Sequence, residues 1–191
     1  MRKLSMEELQ RKTVSEFHEA EKIPVVAVLE NIRSAYNVGS VLRTADAFLL
    51  QAVYTTGYSP HPPHKQIDKT ALGAHESVHC RHFTDAGTAI RELRENGFKI
   101  FAVEQAEQSK LLNDLDIDAS SKIAVVFGNE VTGVEQSTIL QCDGCIEIPQ
   151  LGMKHSLNIA VAAGVVLWEL VRTIIPTLHS NQHQKKNELS Q

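Results

Sequence analysis

The apolar run Ile123 to Val126 breaks into Phe127-Gly128-Asn129-Glu130-Val131-Thr132-Gly133-Val134, and some twenty residues on Ile148-Pro149-Gln150-Leu151-Gly152-Met153-Lys154-His155-Ser156-Leu157-Asn158 repeats the design. Each block reads as a buried strand that runs out into a Gly-containing polar loop and then a helix. Strands that are apolar on consecutive residues must be covered on both faces, so a chain built of them is confined to a mostly parallel sheet between helices. Loops at the carboxyl ends of parallel strands are where α/β proteins bind nucleotide-like ligands. The site is expected there.

The rest of the chain keeps the alternation. Residues 5–20 pattern as an amphipathic helix from Ser5, with Leu4, Leu9, Val14 and Phe17 near one face and Pro24 ending the region. Val25 to Leu29 is a strand, and Asn37 to Leu49 is a helix with Val38, Val41, Leu42, Ala45 and Phe48 at helical spacing. Ala52 to Thr56 is a strand, Gly57 to Lys69 a long loop rich in Pro and His, and Val78 to Phe83 a short strand. Asp85 is placed to cap a helix from Ala86 to Asn96, which Gly97 stops. Phe98 to Val103, Ile123 to Phe127 and Cys145 to Ile148 are strands, and Glu135 to Gln141 is a short helix. A long helix from Ser156 to Ile174 ends before Pro176, and the tail from His179 is polar and expected to be disordered. The expected division is a helical extension at 1–23, one α/β domain at 24–176 and a tail at 177–191, with no internal repeat.

Composition removes several classes. At 191 residues there is room for one well-filled core. A net charge of −4 gives no global basic signal, so any nucleic-acid binding must come from a local patch or from patches combined in an oligomer. The charged start shows no signal peptide, and three cysteines fit a reducing cytoplasm. Leu157 to Ile175 is the longest apolar stretch, yet it carries Asn158, Glu169 and Arg172, against the ~20 nearly uncharged residues of a spanning helix. It reads as a helix buried against its own sheet and a second subunit.

The usual nucleotide motifs are missing. Gly128-x4-Gly133 has phosphate-loop spacing, but Val134 and Glu135 stand where Lys and Ser/Thr are required. No Gly-x-Gly-x-x-Gly follows a strand, and no Gly-x-Ser-x-Gly elbow is present. Cys142-x-x-Cys145 has no second pair, which argues against zinc or redox chemistry; no metal is expected there or at His75, His79, Cys80 and His82.

Three blocks, Glu30 to Phe48 (Glu-Asn-Ile-Arg-Ser-Ala-Tyr-Asn-Val-Gly-Ser-Val-Leu-Arg-Thr-Ala-Asp-Ala-Phe), Val126 to Val134 and Ile146 to Ala162, together resemble the SpoU/TrmH family of SPOUT RNA ribose 2′-O-methyltransferases over about residues 24–174. One departure is Leu49, where the family places Gly; it touches a helix end. The resemblance implies a homodimer whose C-terminal part forms a trefoil knot around S-adenosylmethionine. Topology rules alone predict an unknotted sheet.

By the same resemblance Arg43 engages the target ribose and its phosphate. Arg43 would otherwise read as a solvated helix residue. Its guanidinium stays protonated above about pH 12, so it would stabilise the forming alkoxide or orient a phosphate oxygen that accepts the proton. Asn37 would hold Arg43 or substrate, or cap its helix; Glu130 would lie near the methyl donor, or cap the helix after it. Ser156 and Asn158 would form the catalytic edge at the start of the long helix, Ser156 being a good N-cap. Val103, Gly128, Ile148, Met153, Ser156 and Leu157 would hold the cofactor, with Gly128 letting the backbone approach it closely. Asn31, Arg33, Arg43, Lys65 and Lys69 would face RNA, joined by Arg2, Lys3, Arg11 and Lys12 and by a rim of Arg81 and the histidines. The expected activity is S-adenosylmethionine-dependent methylation of a ribose 2′-hydroxyl in tRNA or rRNA, tRNA favoured. A non-catalytic RNA-binding or ribosome-assembly protein of the same fold is the alternative, and an enzyme using NAD a more distant one.

Overall fold

The computed structural model describes residues 1–188 except positions 6, 7, 10, 11 and 119, with side chains through Ile174. Arg11 and the side chains of the tail therefore lie outside the described residues. After a short helix α1 (Val14–Glu19) the chain alternates β1 (Ile23–Glu30), α2 (Ala35–Ala47), β2 (Leu50–Thr56), α3 (Lys65–Ala71), α4 (Ala74–Ser77), β3 (Cys80–Phe83), α5 (Ala86–Glu95) and β4 (Lys99–Val103). It continues through β5 (Lys110–Leu111), a single 3-10 turn, β6 (Ile123–Phe127), α6 (Gln136–Ile139), β7 (Gly144–Glu147) and α7 (Ile159–Glu188).

All pairings in the seven-stranded sheet are parallel, in the order β3-β2-β1-β6-β4-β7-β5. The late strands slot between earlier ones: β6 enters between β1 and β4, and β7 between β4 and β5. Their carboxyl ends thereby lie side by side, with the loops after β1, β4, β6 and β7 along one edge.

Strand residues alternate between two apolar layers, as a period of two requires. Val25, Ala27, Leu29, Val53, Ile123, Val125 and Ile146 pack under α2, α3 and α7. Val26, Val28, Ala52, Ile100, Ala102, Ala124 and Val126 pack under α5. This double burial is why the strands read as unbroken apolar runs.

Several elements differ from expectation. Among the described residues the N-terminal helix runs over Val14–Glu19, where Thr13 and Glu16 form a reciprocal capping box; Leu4, Leu9 and Val14 stay exposed and Phe17 is buried. Pro24 lies inside β1. Within the expected loop 57–69, His64 Nδ1 accepts the Gln66 N–H at 3.2 Å and starts α3. Helix α7 continues past Pro176 to Glu188, since proline removes one backbone donor but holds a φ that a helix accepts. Leu49 takes φ 56°, a left-handed conformation that explains a preference for Gly at this helix end and costs Leu about 1–2 kcal/mol.

Candidate active site

Helix α2 begins where β1 ends, and Ser34 caps it by accepting the Asn37 N–H at 3.3 Å. The capping role considered for Asn37 therefore belongs to Ser34, and the Asn37 side chain is released for another task. Its Nδ2 donates to Glu130 Oε1 at 3.0 Å, and its Oδ1 accepts from Asn158 Nδ2 at 3.3 Å. Glu130 also accepts the backbone N–H of Arg33 at 3.0 Å and of Ser34 at 3.2 Å. Residues from three segments far apart in sequence, the first turn of α2, the turn after β6 and the start of α7, thus form one hydrogen-bonded line.

Glu130 is not the cap of the helix that follows it. That helix, α6, has no side-chain cap; at its start the Glu30 carboxylate accepts the Glu135 N–H at 2.9 Å and the Thr138 hydroxyl. Glu130 instead sits against the start of α2, where a carboxylate meets unpaired N–H groups and the positive end of the helix dipole. Partial burial pushes its pKa up, but the hydrogen bonds from Arg33, Asn37 and Ser34 outweigh this and hold it below the ordinary 4.5. The carboxylate is thereby kept ionised.

The turn that presents Glu130 is closed on itself. Asn129 and Gly133 exchange backbone hydrogen bonds at 2.9 Å, and Asn129 Oδ1 accepts the N–H groups of Val131 and Thr132 at 2.8 and 3.1 Å. Asn129 Nδ2 reaches the Asn31 carbonyl and the Tyr58 hydroxyl, both at 2.8 Å. The close approach at Gly128 is to this same turn: a Cβ there would lie 2.1 Å from the Gly133 carbonyl carbon and the Val134 nitrogen. Gly128 is required by the tightness of this turn.

Helix α7 starts at Ile159, and its cap is Asn158, whose Oδ1 accepts the Ala160 N–H at 2.9 Å. Ser156 lies outside the helix and exposed, so it is not the cap. Val103 and Ile148, at the ends of β4 and β7, pack partly into the core, whereas Met153, Ser156 and Leu157 are exposed on the irregular stretch between β7 and α7. Leu151 and Met153 stand almost fully in solvent.

Arg43 is exposed and, among the described residues, its side chain makes no hydrogen bond within the chain. It lies six residues beyond Asn37, hence ~9 Å along and ~120° around α2 from it. Within one chain it does not join the Glu130–Asn37–Asn158 line. It lines a groove of about 460 Å³ between α2 and α3 with Ser40, Thr44, Ala47, Lys69 and Thr70.

Arg33 and Lys65 are likewise exposed, whereas Asn31 is held within the chain. It is half-buried; its Nδ2 donates to Glu135 at 2.6 Å and its Oδ1 accepts the Tyr58 N–H at 3.4 Å. Arg81 is similarly committed, paired through both guanidinium nitrogens to Glu92 and lying over Phe83. His82 stacks on His61 at 4.3 Å and shares a hydrogen bond with Thr55 at 3.1 Å. Burial raises the Cys142 thiol to about 12 and also raises Cys145, which keeps both protonated.

Reasoning from sequence missed Glu104 and Gln105, the two residues after β4. Glu104 accepts the Val134 N–H at 3.1 Å, and Gln105 Nε2 donates to the His155 carbonyl at 2.7 Å. Their position at a strand's carboxyl end was the available signal.

Residues 24–168 match the model of the SpoU rRNA Methylase family. The chain is 34% identical over 168 residues to the tRNA (guanosine(18)-2′-O)-methyltransferase of Thermus thermophilus, covering 86% of this chain and 83% of that one. It is 33% identical over 149 residues to the 23S rRNA (guanosine-2′-O-)-methyltransferase of Neisseria meningitidis, covering 78% of this chain and 58% of the relative. Among solved structures, the TrmH/SpoU tRNA modifying enzyme of A. aeolicus superposes with a TM-score of 0.75 at 24% identity, over 86% of this chain and 83% of that one, a likeness of fold. The AdoMet-bound rRNA methyltransferase of Sinorhizobium meliloti superposes with a TM-score of 0.72 at 26% identity, over 82% and 59%. By its sequence, its parallel sheet and the loops gathered along one edge, the chain belongs to the SpoU rRNA Methylase family.

Proposed function

We propose that this chain is an RNA methyltransferase that uses S-adenosylmethionine to methylate a ribose 2′-hydroxyl of tRNA or rRNA. The observation that carries the reading is the line Glu130–Asn37–Asn158 at the carboxyl edge of the sheet, in a chain of this family. tRNA is favoured, because the tRNA-modifying relative is matched over 83% of its length and the rRNA-modifying one over 58%.

The cofactor fits the residues beside that line. Exposed Leu151, Met153 and Leu157 offer apolar surface to an adenine, and the irregular backbone between β7 and α7 has main-chain groups free for the ribose and amino-acid ends. Val103, Ile148, Met153, Ser156 and Leu157 would hold it. When bound, S-adenosylmethionine supplies a methyl group made electrophilic by its sulfonium. The protein's part is alignment and charge stabilisation. Glu130 fixes the start of α2 and orients Asn37; Asn37 and Asn158 present amides toward the reacting edge; Arg43 faces the ribose and its phosphate, and stabilises negative charge on the oxygen as its proton leaves to a phosphate oxygen or water.

A homodimer with a C-terminal trefoil knot belongs to this reading. It is supported by the apolar stripe Val161, Val165 and Trp168 facing solvent on α7 and by the separation of Arg43 from Asn37 within one chain. The insertion of β6 and β7 between earlier strands suits a knotted path. None of the described helices is long and apolar enough to cross a membrane. A cytoplasmic location is part of the proposal, as is RNA contact by Arg33, Lys65 and Lys69, all exposed.

The test is incubation with methyl-labelled S-adenosylmethionine and unmodified total RNA, with tRNA and rRNA then separated. Label in one class, at a position resistant to alkaline cleavage, is the expected result. Arg43→Ala should abolish transfer and leave cofactor affinity unchanged; full activity in this variant would refute its assignment.

A further inference from the structure

Strand β4 ends at Val103, and the next two side chains reach in different directions. Glu104 Oε2 accepts the Val134 N–H at 3.1 Å, at the foot of the turn that carries Glu130. Its other oxygen accepts the Gln105 N–H at 2.9 Å, which orients the following residue. Gly133 makes room for the carboxylate: it has φ 72°, and a Cβ there would come within 2.1 Å of Glu104 Oε2. Gln105 Nε2 then donates to the His155 carbonyl at 2.7 Å. Apart from the Gln150 amide, which donates to the neighbouring Ile148 carbonyl at 3.3 Å, this is the one hydrogen bond among the described residues that joins residues 149–157 to the rest of the chain.

That stretch carries Met153, Ser156 and Leu157, three of the residues that would hold the donor. Residues 151–158 are all exposed, and none belongs to a helix or strand. Without a tie, ordering such a loop on each binding event costs conformational entropy. We propose that Glu104 and Gln105 are positioning residues for the methyl donor: they hold the 128–134 turn and the 149–157 loop in register, and Gln105 pre-orders the second before the donor arrives. A merely structural tie would support the fold and leave donor affinity alone. Two observations point beyond that: the bonds end on main-chain groups of the turn that carries Glu130 and of the loop that would hold the donor, and the Gln105 side chain and its acceptor residue are exposed, contributing no core packing. The inference rests on the proposed function.

Gln105→Glu, Gln105→Ala and Gln105→Lys test it in the full-length protein. Glu replaces the donor by an acceptor facing a carbonyl, whereas Lys restores a donor. For one lost hydrogen bond at an exposed site, the KM for S-adenosylmethionine should rise about fivefold in the Glu and Ala variants. The kcat at saturating donor should stay within about twofold and the melting temperature unchanged, because the tie acts in the ground state and outside the core. Lys should return KM toward the wild-type value. Independently of activity, amide hydrogen exchange in residues 149–157 of the donor-free protein should speed up in the Glu variant and slow again in the Lys variant. If the wild type transfers methyl groups and neither KM nor exchange responds to Gln105→Glu, the positioning role is wrong and the enzymatic reading stands. If the wild type binds no S-adenosylmethionine, both fall together.

Discussion

Replacing Glu130 by Gln keeps the side chain's shape and removes one charge and one acceptor from the joint between the 129–133 turn and α2. The wild-type carboxylate serves three donors: the Arg33 and Ser34 backbone N–H groups and the Asn37 amide. Gln has a single oxygen, so its NH2 must face at least one of those donors. A hydrogen bond to a charged group contributes about 1.5–3 kcal/mol, and a carboxylate at a helix start about 0.3–1 kcal/mol. Glu130 is well exposed to solvent, so screening selects the lower ends, roughly 1.5–2 kcal/mol in total. For a chain of this length that corresponds to a fall of about 3–8 °C in Tm. The sign of the pH dependence follows from the lowered pKa. A carboxyl depressed in the folded state adds stability that is complete above its unfolded value of 4.5 and is lost as pH falls through the folded value. Urea unfolding of wild type and Glu130→Gln should therefore show its full gap near about pH 7, closing below about pH 4. Methyl transfer should fall at least about tenfold, because Asn37 loses the partner that aims it. A gap that is absent near neutrality, or that persists undiminished in acid, would show that the carboxylate is not tied to the start of α2.

Two further substitutions separate stability from chemistry. Asn158→Asp keeps an acceptor for the Ala160 N–H, so unfolding free energy should stay within about 0.5 kcal/mol, while the lost donor to Asn37 lowers methyl transfer; equal activity at equal stability would remove Asn158 from the site. Glu30 is buried, and burial raises its pKa despite hydrogen bonds from Thr138 and Glu135. A carboxyl raised in the folded state makes the protein gain stability as pH falls through that raised value, so its ionised form is a cost near neutrality. Glu30→Gln should be at least as stable as wild type near about pH 8, the advantage shrinking in acid; a loss above about 2 kcal/mol would mean that charge-assisted bonds outweigh desolvation.

The parts of this fold that were legible are those set by burial and local backbone geometry. Val25 to Leu29 and Ile123 to Phe127 read as strands because both faces are covered, and Asp85 and Gly97 read as the limits of α5 because a carboxylate accepting the Thr88 N–H and a φ of 81° are local demands. The caps at the site were not legible, and the reason is tertiary. Ser34 and Asn37 are both acceptable at the start of α2, as are Ser156 and Asn158 before α7; propensity ranks each pair nearly equal. What separates them is a partner distant in sequence. Glu130 draws the Asn37 amide away from its own helix, and Asn37 offers Asn158 an acceptor that Ser156 lacks. Leu49 failed for the opposite reason: its positive φ is local, but Leu gives no sign of it, and only the family's Gly at that place does. Polar residues next to strand ends in a parallel sheet are therefore best read in sets across loops. Taken singly, each one here has a sufficient local explanation, and for Asn37, Glu130 and Ser156 that explanation is the wrong one.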